Sequence, residues 1–150
     1  MLYSIKKLFF QKEGFDVVER VESDGFLYAL IIRKDYCPDG INFFSADDDI
    51  LQVGTMKHTA GHTITPHRHL PYKRETEGTQ EVLFIKKGTL KAIFFDSNDL
   101  RVNEVILTAG DLIVLLGGAH GFDIIDDLEM IEVKNGPYAV SGDKTRFEEN

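Results

Sequence analysis

GHTITPHRHLPYKRETEGTQEVLFIKKG, the stretch from Gly61 to Gly88, decides how the rest of the chain is interpreted. Pro66 fixes its own φ and favours an extended conformation for the preceding residue, so we predict a strand that carries His67 and His69. Side chains two residues apart on a strand point to the same face, about 6.6 Å apart. Two imidazoles at that separation can bind one metal ion, at about 2.1 Å each.

The second half of this stretch predicts a buried strand that begins with a carboxylate. Glu81 precedes four apolar residues, and alternation places Glu81, Leu83 and Ile85 on one face and Val82 and Phe84 on the other. Both faces are apolar, which is typical of a strand that packs on two sides. Because a carboxylate at the start of such a strand needs an ion pair or a metal, Glu81 is a candidate ligand.

The spacing of these residues resembles the first motif of the cupin family. G-x5-H-x-H, followed by E-x6-G, places Gly61, His67, His69, Glu81 and Gly88 at the matching positions. The eleven residues of Leu70–Gln80 exceed the usual gap in the family and form an insertion.

A stretch that resembles the second cupin motif lies downstream. GD at 110–111, a run of five apolar residues and GGAH at 117–120 follow the family's order, although Leu116 stands where a proline is common and the usual downstream Asn is missing. His120 matches the histidine that, in metal cupins, completes a shell of three histidines and one carboxylate. The resemblance covers about residues 50–135 and implies a metal site formed by His67, His69, Glu81 and His120.

The ligands implied by this resemblance restrict the metal. Imidazole suits Zn, Cu, Fe and Ni, and a carboxylate keeps Mn open as well, so we expect a divalent transition metal such as Zn, Ni, Mn or Fe. Such an ion could polarise a carbonyl, orient a bidentate substrate or, as Fe(II), bind dioxygen, and the sequence leaves these chemistries open. Ligation by several thiolates is excluded, because Cys37 is the only cysteine.

Short predicted strands, separated by turn signals about every eight to twelve residues, indicate an all-β sandwich or barrel. Together with the resemblance, they imply a cupin-type double-stranded β-helix, a jelly-roll barrel, with extra N-terminal strands. We predict a single domain over residues 1–150, with the barrel core at about 50–135, N-terminal strands within 1–49 and a polar tail at 141–150.

Composition restricts the partners. A net charge of −8 argues against non-specific nucleic-acid binding, which depends on Lys and Arg. No apolar run approaches the ~20 residues of a membrane span, and a single cysteine gives no sign of an oxidising compartment, so we expect a cytoplasmic protein. The apolar surplus in residues 1–44 predicts a homodimer that uses its N-terminal strands.

Three further residues are candidates for catalysis or substrate binding. His62 could act as a general base, because an unperturbed imidazole titrates near pH ~6.5; a surface histidine is the alternative. Lys73 and Arg74 lie in the insertion and could bind a carboxylate or phosphate of a small-molecule substrate, whereas an exposed charged loop is the alternative for them.

The resemblance implies several functions, since a fold alone does not define an activity. One is a metal-dependent isomerase or epimerase acting on a sugar, a sugar nucleotide or a related small polar metabolite. The others are an Fe(II)-dependent dioxygenase, a non-catalytic small-molecule-binding cupin, and a metal-free sugar-nucleotide cupin that keeps catalytic histidines. The sequence at residues 132–138, EVKNGPY, is similar to the end of small cupins associated with bacterial surface-polysaccharide synthesis. This similarity favours a function that acts on a carbohydrate.

Overall fold

The computed structural model describes residues 18–138 and 141–149. Within these ranges, every assigned element of secondary structure is a β-strand. No helix that could span a membrane occurs in either range. The chain forms two compact units, Met1–Tyr36 together with Thr79–Asn150, and Cys37–Gly78. The strands are β1 (Glu19–Ser23), β2 (Phe26–Ile32), β3 (Gly40–Phe43), β4 (Gly54–Lys57), β5 (Glu81–Lys87), β6 (Thr89–Phe95), β7 (Arg101–Thr108), β8 (Leu112–Leu115), β9 (Ala119–Ile124) and β10 (Glu129–Lys134).

The first unit contains two antiparallel sheets. Five strands form one sheet in the order β1-β2-β8-β5-β10, and three strands form the other in the order β7-β6-β9. The chain passes from β5 in one sheet to β6 in the other at Gly88, whose φ is +85°. A Cβ at this position would lie 2.2 Å from the carbonyl oxygen of Asp127, so glycine is required both for its conformation and for the space that it leaves.

The core lies between these two sheets and consists of alternate apolar side chains. Each fully buried Leu, Ile or Phe stabilises the fold by roughly 1.5–3 kcal/mol relative to an exposed one. In β5, Leu83 and Ile85 point inward, while Phe84 is 39 % exposed on the outer face, which confirms the predicted alternation. The core side chains include Ala29 and Ile31 of β2, Leu83 and Ile85 of β5, Ile113 and Leu115 of β8, Leu90, Ala92 and Phe94 of β6, and Leu107 of β7.

A buried carboxylate, Asp111, ties the β7–β8 turn to the end of β2. It accepts hydrogen bonds from the backbone N–H of Thr108 at 2.9 Å and of Lys34 at 3.1 Å, and from the Arg33 guanidinium at 3.0 Å. Burial alone would raise the pKa of Asp111, but these hydrogen bonds and the Arg33 charge outweigh it and lower the pKa. The Gly-Asp pair of the second motif-like stretch therefore has a structural role.

The prediction of an all-β fold is confirmed, and its strands are antiparallel. The two sheets of the first unit are compatible with a β-sandwich; closure into a barrel and jelly-roll connectivity stay predictions. Of the predicted N-terminal region, β1, β2 and β3 are strands, and residues 1–17 lie outside the described residues. That residues 1–150 form a single domain also stays a prediction.

The second unit contains a single described hairpin, β3 with β4, and an exposed loop that follows it. The predicted strand at His67 and His69 is wrong, because no strand is assigned between 58 and 80, and every residue from 56 to 78 is exposed. Pro66 restricts the backbone locally but supplies neither a neighbouring strand nor alternating apolar side chains. A strand needs both to be stable in water.

Candidate functional site

Glu81 is the first residue of β5, in the five-stranded sheet. Its neighbours across the sheet are Leu115 in β8 and Lys134 in β10. It lies on the same face of β5 as the buried Leu83 and Ile85, so its side chain points between the two sheets, at one end of the core. The side chain is only 17 % exposed, which is low for an acidic residue.

His120 lies in β9, at an edge of the three-stranded sheet. It is directly opposite Phe94 of β6, and directly opposite residues of an antiparallel pair share a face. Because Phe94 is buried in the core, His120 also points toward the opposing sheet. The ring of Phe122, two residues further along β9, has its centroid 5.4 Å from that of the imidazole.

These two side chains meet across the sheets, with His120 Nε2 3.3 Å from Glu81 Oε2. Both are partly buried, so salt screens their attraction less than it would at the surface. The contact is an ion pair when the imidazole is protonated and a polar contact when it is neutral. It provides the partner that a carboxylate at the start of a buried strand requires.

Hydrogen bonds hold Gln80, the residue that precedes Glu81. The N–H of Gln80 donates to Asn135 Oδ1 at 2.7 Å, and the N–H of Asn135 donates to the Gln80 carbonyl at 3.4 Å. The side chain of Gln80 is buried and donates from Nε2 to the carbonyl of Leu116 at 3.4 Å. The start of β5 is thereby tied to residues that directly follow β10 and β8.

Two further carboxylates lie beside the lysine that is opposite Glu81 in the sheet. Lys134, the cross-strand neighbour of Glu81, places Nζ 3.8 Å from a Glu132 oxygen and 3.9 Å from an Asp143 oxygen. Thr79 Oγ1 donates to Asp143 at 3.2 Å, which holds the C-terminal segment near β10. Glu132 and Asp143 thus share the ammonium of Lys134, the residue opposite Glu81 in the sheet.

The chemical nature of the Glu81–His120 pair fits a transition metal, since a carboxylate oxygen and an imidazole nitrogen are ligands that these ions take. In the described part of either unit, no group of three or more His, Cys, Asp or Glu side chains is arranged to hold a metal ion. A complete coordination shell therefore needs ligands beyond this pair.

The other two predicted ligands lie in the exposed loop of the second unit, with the ring centroids of His67 and His69 5.2 Å apart. His67 Nδ1 is 3.0 Å from the Thr65 carbonyl, which can only accept, so Nδ1 is the donor in this contact and Nε2 takes no part in it. Metal-bound histidines typically hydrogen-bond in this way through the nitrogen that does not bind the ion. That His67 and His69 bind the same ion as Glu81 and His120 stays a prediction.

His62, the predicted general base, stacks on His58 in the same loop. Their ring centroids are 4.0 Å apart and their planes differ by 8°. Both residues are exposed, and the role of His62 as a base stays a prediction.

Lys73 and Arg74 make their described contacts within the loop. The Lys73 ammonium pairs with the Glu75 carboxylate, and the Arg74 guanidinium carbon lies 5.2 Å from the centroid of the Tyr72 ring. The latter distance is within the range of a cation–π interaction. The Lys73 side chain is 84 % exposed, as expected both for an anion-binding loop and for a solvated one. That Lys73 and Arg74 bind substrate stays a prediction.

The sequence alone missed Asn135, whose side chain accepts the hydrogen bond from the N–H of Gln80 next to Glu81. Asn135 had a detectable signal, since it begins the Asn-Gly-Pro turn that follows β10.

No protein-family model, no curated protein and no solved structure matches this chain. Membership of the cupin family therefore rests on the two motif-like stretches and is part of the proposal that follows.

Proposed function

We propose that this protein is a metal-binding cupin that acts as an isomerase or epimerase on a sugar, a sugar nucleotide or a related small polar metabolite. The observation that carries the proposal is the 3.3 Å contact between Glu81 and His120. These residues come from two separate motif-like stretches and from two different sheets. Their meeting at one end of the core supports a shared functional site.

The pair is suited to acid–base chemistry. A carboxylate and an imidazole in contact can hold a proton and transfer it to or from a hydroxyl, or a carbon beside a carbonyl. A divalent ion held by Glu81 and His120 would add Lewis-acid polarisation of that carbonyl. Phe122 presents an aromatic ring beside His120, with the two ring centroids 5.4 Å apart.

Metal content tests the first part of the proposal. Full-length protein made without an affinity tag is incubated with Zn, Ni, Mn or Fe(II), desalted and analysed by elemental analysis. We expect close to one equivalent of at least one metal in the wild type and a large loss in Glu81→Gln and His120→Ala. Glu129→Gln and His58→Ala are the matched controls and should retain the metal. Absence of every metal from the wild type would contradict the proposal.

A thermal-shift screen tests the substrate class. Sugar phosphates, nucleotide sugars and keto acids are compared with and without metal, followed by assays of turnover. A sugar ligand that is isomerised supports the proposal, and a weaker shift in Lys73→Ala or Arg74→Ala would assign anion binding to the loop. Oxygen consumption with Fe(II) would instead indicate that the protein is a dioxygenase and contradict the isomerase proposal. Ligand binding without turnover would indicate a non-catalytic binding protein.

We also propose that the protein is a cytoplasmic homodimer that associates through its N-terminal strands. Phe26 of the first unit is 47 % exposed, and Ile41 and Phe43 of the second unit are 55 % and 57 % exposed. These exposed apolar side chains within residues 1–44 support association. Light scattering should report twice the mass of the chain. A stable monomer at micromolar concentration would contradict the proposal.

A further inference from the structure

Tyr28 faces the core because of a β-bulge. In the register of β1 with β2, Val21 is opposite Ala29 and Glu22 is opposite Leu27, so Tyr28 is the extra residue. A bulge allows two successive side chains to turn to the same face. Tyr28 is 5 % exposed and belongs to the core cluster together with its neighbour Ala29.

The ring of Tyr28 lies against the turn that precedes His120. A Cβ at Gly118 would lie 2.6 Å from both Cδ1 and Cε1 of Tyr28, and the φ of Gly118 is +74°. Both the conformation and the contact therefore require glycine. The carbonyl of Tyr28 accepts a hydrogen bond from the N–H of Leu116 at 2.8 Å, which ties the start of the same turn to β2.

The same ring also contacts the residue opposite His120. The centroids of Tyr28 and Phe94 are 6.0 Å apart in an edge-to-face arrangement, and Phe94 pairs with His120 across β6 and β9. Tyr28 thus packs on both neighbours that set the position of His120, the turn two residues before it and the strand beside it. Tyr28 has no described contact with His120 itself.

We infer that Tyr28 is a positioning residue that holds His120 against Glu81, acting through Gly118 and Phe94. The inference rests on the proposed function in treating His120 as a ligand. Removing the ring leaves space beside Gly118 and frees the turn to shift. Because the Glu81–His120 contact is already 3.3 Å long, a small displacement of β9 separates the pair.

The test compares Tyr28→Ala with Tyr28→Phe and with Leu90→Ala. Leu90 is a fully buried core residue of β6, opposite Ile124 at the other end of β9, so its truncation damages the core without touching the turn. Zinc affinity is measured on the full chain by competition with a chromophoric chelator. We expect Tyr28→Ala to weaken zinc binding by about tenfold or more, the loss typical of residues that orient a ligand. Tyr28→Phe and Leu90→Ala should leave the affinity unchanged.

A second readout separates positioning from metal binding. The imidazole resonances of His120 are recorded by NMR in the metal-free protein, where Tyr28→Ala should shift them and Leu90→Ala should not. If the wild type binds none of Zn, Ni, Mn and Fe(II), the proposed function fails, and the NMR comparison alone decides whether Tyr28 positions His120. If Tyr28→Ala does not fold, Tyr28→Leu replaces it with the same expectations. Equal behaviour of the Tyr28 and Leu90 variants in both readouts would overturn the inference.

Discussion

Replacing Asp111 with alanine should be among the more destabilising single changes in this chain. The carboxylate is 4 % exposed and accepts hydrogen bonds from Thr108, Lys34 and Arg33. Alanine leaves two backbone N–H groups without their acceptor and removes a charged partner from Arg33. These losses act on the β7–β8 turn and on the segment after β2 together.

The magnitude follows from what each group loses. Removing one partner of a buried ion pair costs about 3–5 kcal/mol, and an unsatisfied buried donor costs about 1–3 kcal/mol. Arg33 keeps its pair with Glu19 and is 32 % exposed, and Thr108 and Lys34 are open to water, so the lower end applies. We expect Asp111→Ala to lower the free energy of unfolding by about 3 kcal/mol, a large share of the 5–15 kcal/mol of a typical domain.

Urea denaturation followed by far-UV circular dichroism measures this change. Asp123→Ala is the control, because Asp123 is 56 % exposed and pairs with Lys91 at 3.0 Å on the surface. Surface pairs contribute about 0–1 kcal/mol, so the control should unfold close to the wild type. A loss for Asp111→Ala no larger than that of the control would refute the structural role assigned to this carboxylate.

Three further predictions concern the same unit. The pKa of Asp111 is lowered below its ordinary 3.8, so its contribution to stability is present above pH 3.8 and is lost as the pH falls toward the folded-state pKa. When the free energy of unfolding is measured against pH in acid, Asp111→Ala should therefore lose less stability than the wild type. Gly88→Ala should destabilise more than Gly25→Ala in thermal melts, since both have positive φ but only the former brings a Cβ to 2.2 Å from the Asp127 carbonyl. Phe147→Ala should lower the free energy of unfolding by about 1 kcal/mol, because it removes an edge-to-face contact with Phe95 of β6, with the ring centroids 5.3 Å apart. An unchanged melting temperature would contradict a stabilising role for this contact.

Strands with strong local signals could be predicted from the sequence. The turn signal Ser-Asp-Gly predicts the start of β2, which follows it. Gly88 and Gly110, with φ of +85° and +94°, likewise predict the starts of β6 and β8. The alternation in β5 was also readable, since a period of two needs only consecutive residues. These features depend on neighbours in sequence, and the structure confirms them.

Features that depend on distant partners could not be derived in this way. Pro66 favours an extended backbone but cannot supply a neighbouring strand, so the predicted strand at His67 and His69 does not form. Tyr28 faces the core because of its pairing with β1, which no local pattern encodes. The Glu81–His120 contact joins two sheets, and the sequence indicated it through the resemblance to a family rather than through any rule of local structure.

Calorimetric titration of zinc into the full-length protein and its Glu81→Gln, His120→Ala and doubly substituted forms tests the central claim most directly. If the two side chains hold one ion, the wild type binds zinc, each single substitution weakens binding by about tenfold or more, and the double substitution costs less than the sum of the two. Zinc binding by all four forms with the wild-type affinity, or no binding of Zn, Ni, Mn or Fe(II) by the wild type, would contradict the claim.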